Sequence, residues 1–163
     1  MNNLTEAETS PKPHRTQLLV RLQNISHRAH HSNWRRLQAR FIEILIRLIW
    51  SAHLAPEAKI ASSTHFAHNG LGVIIHPLSE IGENCWIGPH IVLGGKAPII
   101  GAPTLGKNVT LHAGAKIIGK IHIGDGSIIG ANAVVTKDIG PNCVAVGVPA
   151  EILKSNIDAN DYR

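Results

Sequence analysis

Twelve residues, Phe66 to Pro77, read FAHNGLGVIIHP and place His68 and His76 around a pair of nearby glycines. A third histidine, His90, follows in WIGPHIVLGG, which closes on the adjacent Gly94 and Gly95. An unperturbed imidazole titrates near neutrality, so it can accept the proton of a hydroxyl or amine as that group attacks an electrophile. Adjacent glycines keep a groove clear of side chains and let a backbone come close to a bound molecule. These residue types suit general-base chemistry on a transferred group. The two thiols do not suggest a nucleophile: Cys85 and Cys143 lie far apart, form no CxxC pair and have no histidine paired with them in sequence. Both read as reduced and buried.

What must position these residues is a period of six. Ile75, Ile81, Ile87, Leu93, Ile99, Leu105, Leu111, Ile117, Ile123, Ile129 and Val135 are all large aliphatics at that spacing, and glycine follows many of them. A period of six fits neither a helix nor an alternating sheet, but suits short strands joined by tight corners with each anchor turned to a common axis. Ile60 and Phe66 extend the register upstream. From Phe66 to Ile75 the step is nine, so three extra residues sit inside the opening stretch. A solenoid core cannot absorb them; they must bulge at a corner, where Asn69, Gly70 and Gly72 supply unusual backbone angles. His68 rides on that corner. His76 directly follows an anchor, faces away from the axis and reads as structural, and His112 and His122 sit beside anchors as surface positions.

The rest of the chain is different in kind. Residues 1–15 are polar, with two prolines and no apolar periodicity, and read as a disordered arm. From Trp34 to about His53 the sequence predicts one helix with a narrow polar stripe of Arg36, Arg40, Glu43 and Arg47, in which Glu43 and Arg47 can pair at i,i+4. Its remaining surface is far more apolar than water normally meets, so a neighbouring subunit, the rest of the protein or an interfacial membrane contact should cover it. The run is too short and too charged to span a bilayer. The domain reading is a helical segment over 16–54, a repeat domain over 55–154 and a tail over 155–163. Of the formal charge of +5, the whole excess lies in residues 1–59. With aromatics at only 4%, that excess does not point to nucleic acid. No secretory segment precedes the cysteines, and a cytoplasmic location, peripheral to the membrane if the helix docks there, is the expectation.

The stretches HNGLGVIIHP, IVLGG, AGAKIIGKIHIGDGSIIGANAVVTKDI and AVGVPAEIL together make residues 55–154 resemble the hexapeptide-repeat acyltransferases, in particular the serine acetyltransferase-like branch and its capsule and lipopolysaccharide O-acetyltransferases. The resemblance implies a mainly β fold, a left-handed parallel β-helix with one N-terminal α-helix, assembled as a homotrimer with sites between subunits. It implies direct acetyl transfer from acetyl-CoA, with His68 as general base and backbone N–H groups on the oxyanion; His90 is a second candidate by its own position, at a corner one repeat later that can converge on the same cleft. By the same resemblance Gly94 and Gly95 border the thioester, Ala113 and Ala131 contact the pantetheine arm, Thr136 and Lys137 the nucleotide end, and Lys154 a phosphate. A zinc site of the γ-carbonic-anhydrase kind needs two histidines five residues apart, and none from residue 65 onward are. No metal is expected.

The chain also departs from that branch. Serine acetyltransferases hold the amino acid through aspartates, one directly before the catalytic histidine and one on the preceding coil, and place an Arg-His pair after the glycines. Here Ala67 precedes His68, the upstream position falls near His53, and KAPIIGAPTLG follows Gly95. These departures predict a neutral acceptor, a hydroxyl on a sugar or glycan precursor. Serine as acceptor, and a non-catalytic trimeric scaffold, are the alternatives.

Overall fold

The structure is a computed structural model that describes residues 16–30 and 35–158; the arm over 1–15 and the start of the expected helix at Trp34 lie outside the described residues. After two helices, α1 (Thr16–His30) and α2 (Arg35–Trp50), the chain winds through five coils. The first holds β1 (His53–Leu54), β2 (Lys59–Ile60) and β3 (His65–Phe66), and the second holds β4 (Ile74–Ile75), β5 (Glu80–Ile81) and β6 (Trp86–Ile87). The third holds β7 (Val92–Gly94), β8 (Thr104–Leu105) and β9 (Thr110–Leu111), and the fourth β10 (Lys116–Ile118), β11 (His122–Ile123) and β12 (Ile128–Ile129). The last coil contains β13 (Val134–Val135), a single bridge at Ile139 and β14 (Cys143–Val146), against which β15 (Glu151–Ser155) folds back antiparallel.

Strands of two residues have no stability of their own. They persist because each coil stacks on the next in parallel register, forming three sheets around one axis: β1-β4-β7-β10-β13, β2-β5-β8-β11 and β3-β6-β9-β12-β14. The register builds three apolar columns, Leu54–Ile75–Leu93–Ile117–Val135, Ile60–Ile81–Leu105–Ile123–Ile139 and Phe66–Ile87–Leu111–Ile129–Ala145. Every member is buried, and each large aliphatic contributes about 1.5–3 kcal/mol of burial. Corners turn through left-handed backbone at Asn84, Asn108, Asn132 and Asn142, a conformation that asparagine tolerates better than most residues. The chain forms the short strands and tight corners expected from the period of six and, with them, the parallel β-helix that the resemblance implies.

Two expectations are corrected. Ile99 is in phase with the anchors yet 58% exposed. Leu93 and Leu105 are neighbours along the winding, one sheet apart, although twelve residues separate them; residues 95–103 leave the coil as a loop. An insertion of six restores the phase, so the periodicity runs through the loop unchanged. The N-terminal part holds two helices rather than one. The inner face of α1 carries Gln23 and Ser26, both buried, which interrupt the apolar stripe that marks a helix in sequence.

Those polar residues have a use. The first coil has no coil above it, and its carbonyls face α1. Gln23 Nε2 donates to Ala58 O at 2.9 Å and to Ala55 O at 3.4 Å, while His27 Nδ1 lies 2.7 Å from Pro56 O. Leu19, fully buried, fills the apolar part of the same lid and presses on Gly70. Ser26 Oγ donates to Ala39 O at 3.3 Å, joining α1 to α2, and α2 buries Ala39 and Ile46. Among the described residues no helix is long and apolar enough to cross a membrane.

Candidate active site

The corners between the third and first sheets stack into one edge of the prism, the return edge. His90 N–H donates to Leu71 O at 2.8 Å, Gly114 N–H to Pro89 O at 2.9 Å and Asn132 N–H to Ala113 O at 2.9 Å, so each corner sits on the next. This edge carries His68, His90, Ala113 and Ala131, all exposed. Four of the residues singled out in sequence therefore share one line.

The three-residue insertion makes the top of that line. Residues Ala67–Gly70 form a 3-10 turn, with His68 at φ 50 and Asn69 at φ 56, followed by Gly70 and Gly72 at φ 70 and 66. His68 holds a left-handed backbone that a β-bearing residue adopts only when its surroundings fix it. Leu71 N–H closes the turn onto His68 O at 3.3 Å, and its imidazole stands out to solvent with no side-chain hydrogen bond among the described residues. One corner below, His90 occupies the left-handed position that Asn84, Asn108, Asn132 and Asn142 fill elsewhere. Its ring lies against Gly72, so the second histidine packs on the inserted corner itself.

The glycine pair lies elsewhere. On the forward edge, where the first sheet hands over to the second, His76 N–H donates to Leu93 O at 2.9 Å and Gly119 N–H to Gly94 O at 2.9 Å. Gly94, Gly95, Thr136 and Lys137 belong to this edge, with Gly95, Thr136 and Lys137 exposed. His90 and Gly94, four residues apart along one strand segment, are up to about 13 Å apart. Within one protomer His68 and His90 thus lie on the return edge and the glycine pair on the forward edge. Lys154 is on neither edge; it lies on β15 opposite Val144, exposed.

Two residues with chemistry to offer were missed. His76, read as structural, borders Gly95: its ring is within about 3.4–3.6 Å of where a Gly95 side chain would begin. Its Nδ1 accepts the Leu78 N–H at 3.1 Å, so the neutral ring carries its proton on Nε2, the atom nearest the glycine. The ring is thus a donor beside the glycine pair, a role that no spacing rule reveals. Glu43 is the second. Its Oε1 lies 3.0 Å from His53 Nε2 and 3.8 Å from Arg47, so α2 brings a carboxylate to the first coil at the position that had seemed to hold only His53. The signal was present: Glu43 is the only acid between residues 16 and 50.

Elsewhere on the coils, His65 stacks on Trp86 with ring centroids 4.2 Å apart, and burial holds its pKa below the ordinary 6.5. Cys85 and Cys143 are both buried, with Cys85 Sγ 3.1 Å from Gly106 O and Cys143 Sγ 3.3 Å from Pro141 O. Among the described residues no three His, Cys, Asp or Glu side chains are grouped to hold a metal ion.

Residues 102–137 match the family model described as bacterial transferase hexapeptide, six repeats. The chain is 38% identical over 132 residues to a serine acetyltransferase of Mycobacterium tuberculosis, covering 78% of this chain and 57% of that one. It is 40% identical over 117 residues to a serine acetyltransferase of Helicobacter pylori J99, covering 71% and 68%. Among solved structures, serine acetyltransferase of Brucella abortus in complex with coenzyme A superposes with a TM-score of 0.78 at 26% identity, covering 83% of this chain and 54% of the other. The chain thus spans little more than half the length of two of these three proteins. The stacked hexapeptide coils and this level of identity lead to one conclusion: the chain belongs to the serine acetyltransferase family of hexapeptide-repeat transferases.

Proposed function

We propose that the protein is an acetyl-CoA-dependent O-acetyltransferase whose acceptor is the hydroxyl of serine. The observation that carries the reading is the return edge, where an exposed histidine corner is stacked in line with His90, Ala113 and Ala131. His68 takes the acceptor hydroxyl proton as the oxygen attacks the thioester carbonyl. Backbone N–H groups hold the oxyanion, and the thiolate of coenzyme A leaves and recovers the proton from the imidazolium. Acetyl-CoA is here a substrate, and its nucleotide end falls to Thr136, Lys137 and Lys154.

The separation of the two edges supports a site shared between subunits, the return edge of one protomer facing the forward edge of its neighbour in a homotrimer. A partner would also supply what orients His68, which has no such group among the described residues of its own chain. For the acceptor, the relatives favour serine over the sugar hydroxyl preferred on sequence grounds, and Glu43 restores a carboxylate where an ammonium would need one. A glycan hydroxyl is the second reading. It draws on Ala67 and on the loop after the glycines, which presents Ile99 and Ile100 instead of a basic pair.

The test is thiol release from acetyl-CoA by the purified protein, with serine and with a panel of sugars and nucleotide sugars as acceptors. Serine-dependent release, reduced about a hundredfold or more in His68→Ala at unchanged acetyl-CoA KM, is the expected result. Release with a sugar alone would move the acceptor to the second reading, and full activity of His68→Ala would remove His68 as the base.

A further inference from the structure

Helix α2 has two apolar faces, and the fold uses one. Ala39 and Ile46 are buried, with Ile42 and Trp50 packed against the core, on the side facing the coils. On the opposite side Leu37, Phe41, Ile44 and Leu48, at spacings of four, three and four, form a straight stripe; Leu37 is 77%, Phe41 61% and Leu48 75% exposed. The stripe continues onto α1, where Leu18 and Ile25 are exposed, and Ile25 joins Leu37, Gln38, Phe41 and Ile42 around one open cavity of about 530 Å³. So much contiguous apolar surface marks a contact.

The charges beside it identify the contact. Arg40 and Arg47, seven residues apart, lie along one flank of the α2 stripe, and Arg21 and Arg28 hold the same relation to Leu18 and Ile25 on α1; all four are exposed. Residues 16–50 contain six arginines and only Glu43 as an acid, half-buried against His53 and Arg47. Two copies of this face would bring like charges together. An anionic bilayer meets both features at once: acyl chains receive the apolar stripe, and arginine stems reach along it to the phosphates. We propose that the α1–α2 face docks in the plane of an anionic phospholipid membrane, lying on it without crossing it.

The experiment is co-sedimentation of the full chain with phosphatidylcholine vesicles, with and without phosphatidylglycerol. Two variants accompany it: Phe41→Ser/Leu48→Ser, which strips the stripe, and Arg28→Glu/Arg40→Glu, which leaves the stripe and reverses the flank. Both change exposed positions, and an unaltered thermal midpoint verifies that each is folded. The wild-type protein should bind vesicles containing phosphatidylglycerol and weaken with salt, and each variant should bind at least about tenfold less. Failure of the wild-type protein to bind, or equal binding by the arginine variant, would overturn the proposal. So would an assembly in vesicle-free buffer that sedimentation velocity shows to be split by Phe41→Ser/Leu48→Ser, because a second copy would then be the occupant.

Discussion

The imidazole of His90 fills the space that a side chain on Gly72 would need, and Gly72 itself holds a φ of 66. The inserted corner and the next coil are thereby one unit. Gly72→Ala should lose about 1–2 kcal/mol in urea unfolding from the left-handed backbone and should also displace the His90 ring. His90→Ala, at an exposed position, should cost less stability. If His90 takes part in turnover, the two variants should lose activity to the same degree, and the double variant should lose no more than either.

The α1 lid rests on Gln23. Gln23→Leu keeps the volume but leaves Ala58 O without its donor, while Ala55 O keeps the Ala58 N–H at 3.1 Å, and a buried acceptor stripped of its partner costs about 1–3 kcal/mol. The expected outcome is a lower urea midpoint with an unchanged transition slope. If the midpoint stays put, water replaces the amide and the lid is not a cap.

Residues 95–103 separate an apparent anchor from real ones. Ile99→Ser should change stability by no more than about 0.5 kcal/mol, in line with an exposed site. Leu105→Ala, equally in phase but buried, should cost about 2–5 kcal/mol. Thermal or urea unfolding of the two variants checks the placement of the loop directly.

Burial keeps the pKa of His65 below its ordinary 6.5. Between the lowered folded value and 6.5 the unfolded chain binds more protons, so this residue's contribution to stability is complete above 6.5 and is lost as pH falls through that window. His65→Phe removes the titration while keeping a ring on Trp86. Urea midpoints followed from about pH 7.5 down to about pH 5.5 should fall less steeply in the variant than in the wild-type protein.

What sequence makes legible here is what repeats. Ile75, Leu93 and Ile117 announce themselves because a two-residue strand has one inward position, and the nine-residue step to Ile75 betrays the His68 corner because it breaks the count. The loop over 95–103 stays hidden because it does not break it. Helix α1 escapes for a different reason: Gln23 and Ser26 face inward to serve backbone groups of other elements, and a pattern rule scores such positions as outward. Glu43 and His76 become candidates only through partners distant in sequence, His53 ten residues on and Gly95 nineteen, which spacing within one motif cannot supply.

The two ends of the winding are closed by unlike means, α1 laid over the first coil and β15 running backwards on the last. Across β14 the antiparallel β15 takes the place a parallel rung from an incoming copy would need. The same closures turn the return edge into a ruler of fixed length. From the His68 corner to Ala131 is three steps between neighbouring strands, about 14 Å, and a molecule laid along that edge must match this span between its reacting end and the last corner that touches it.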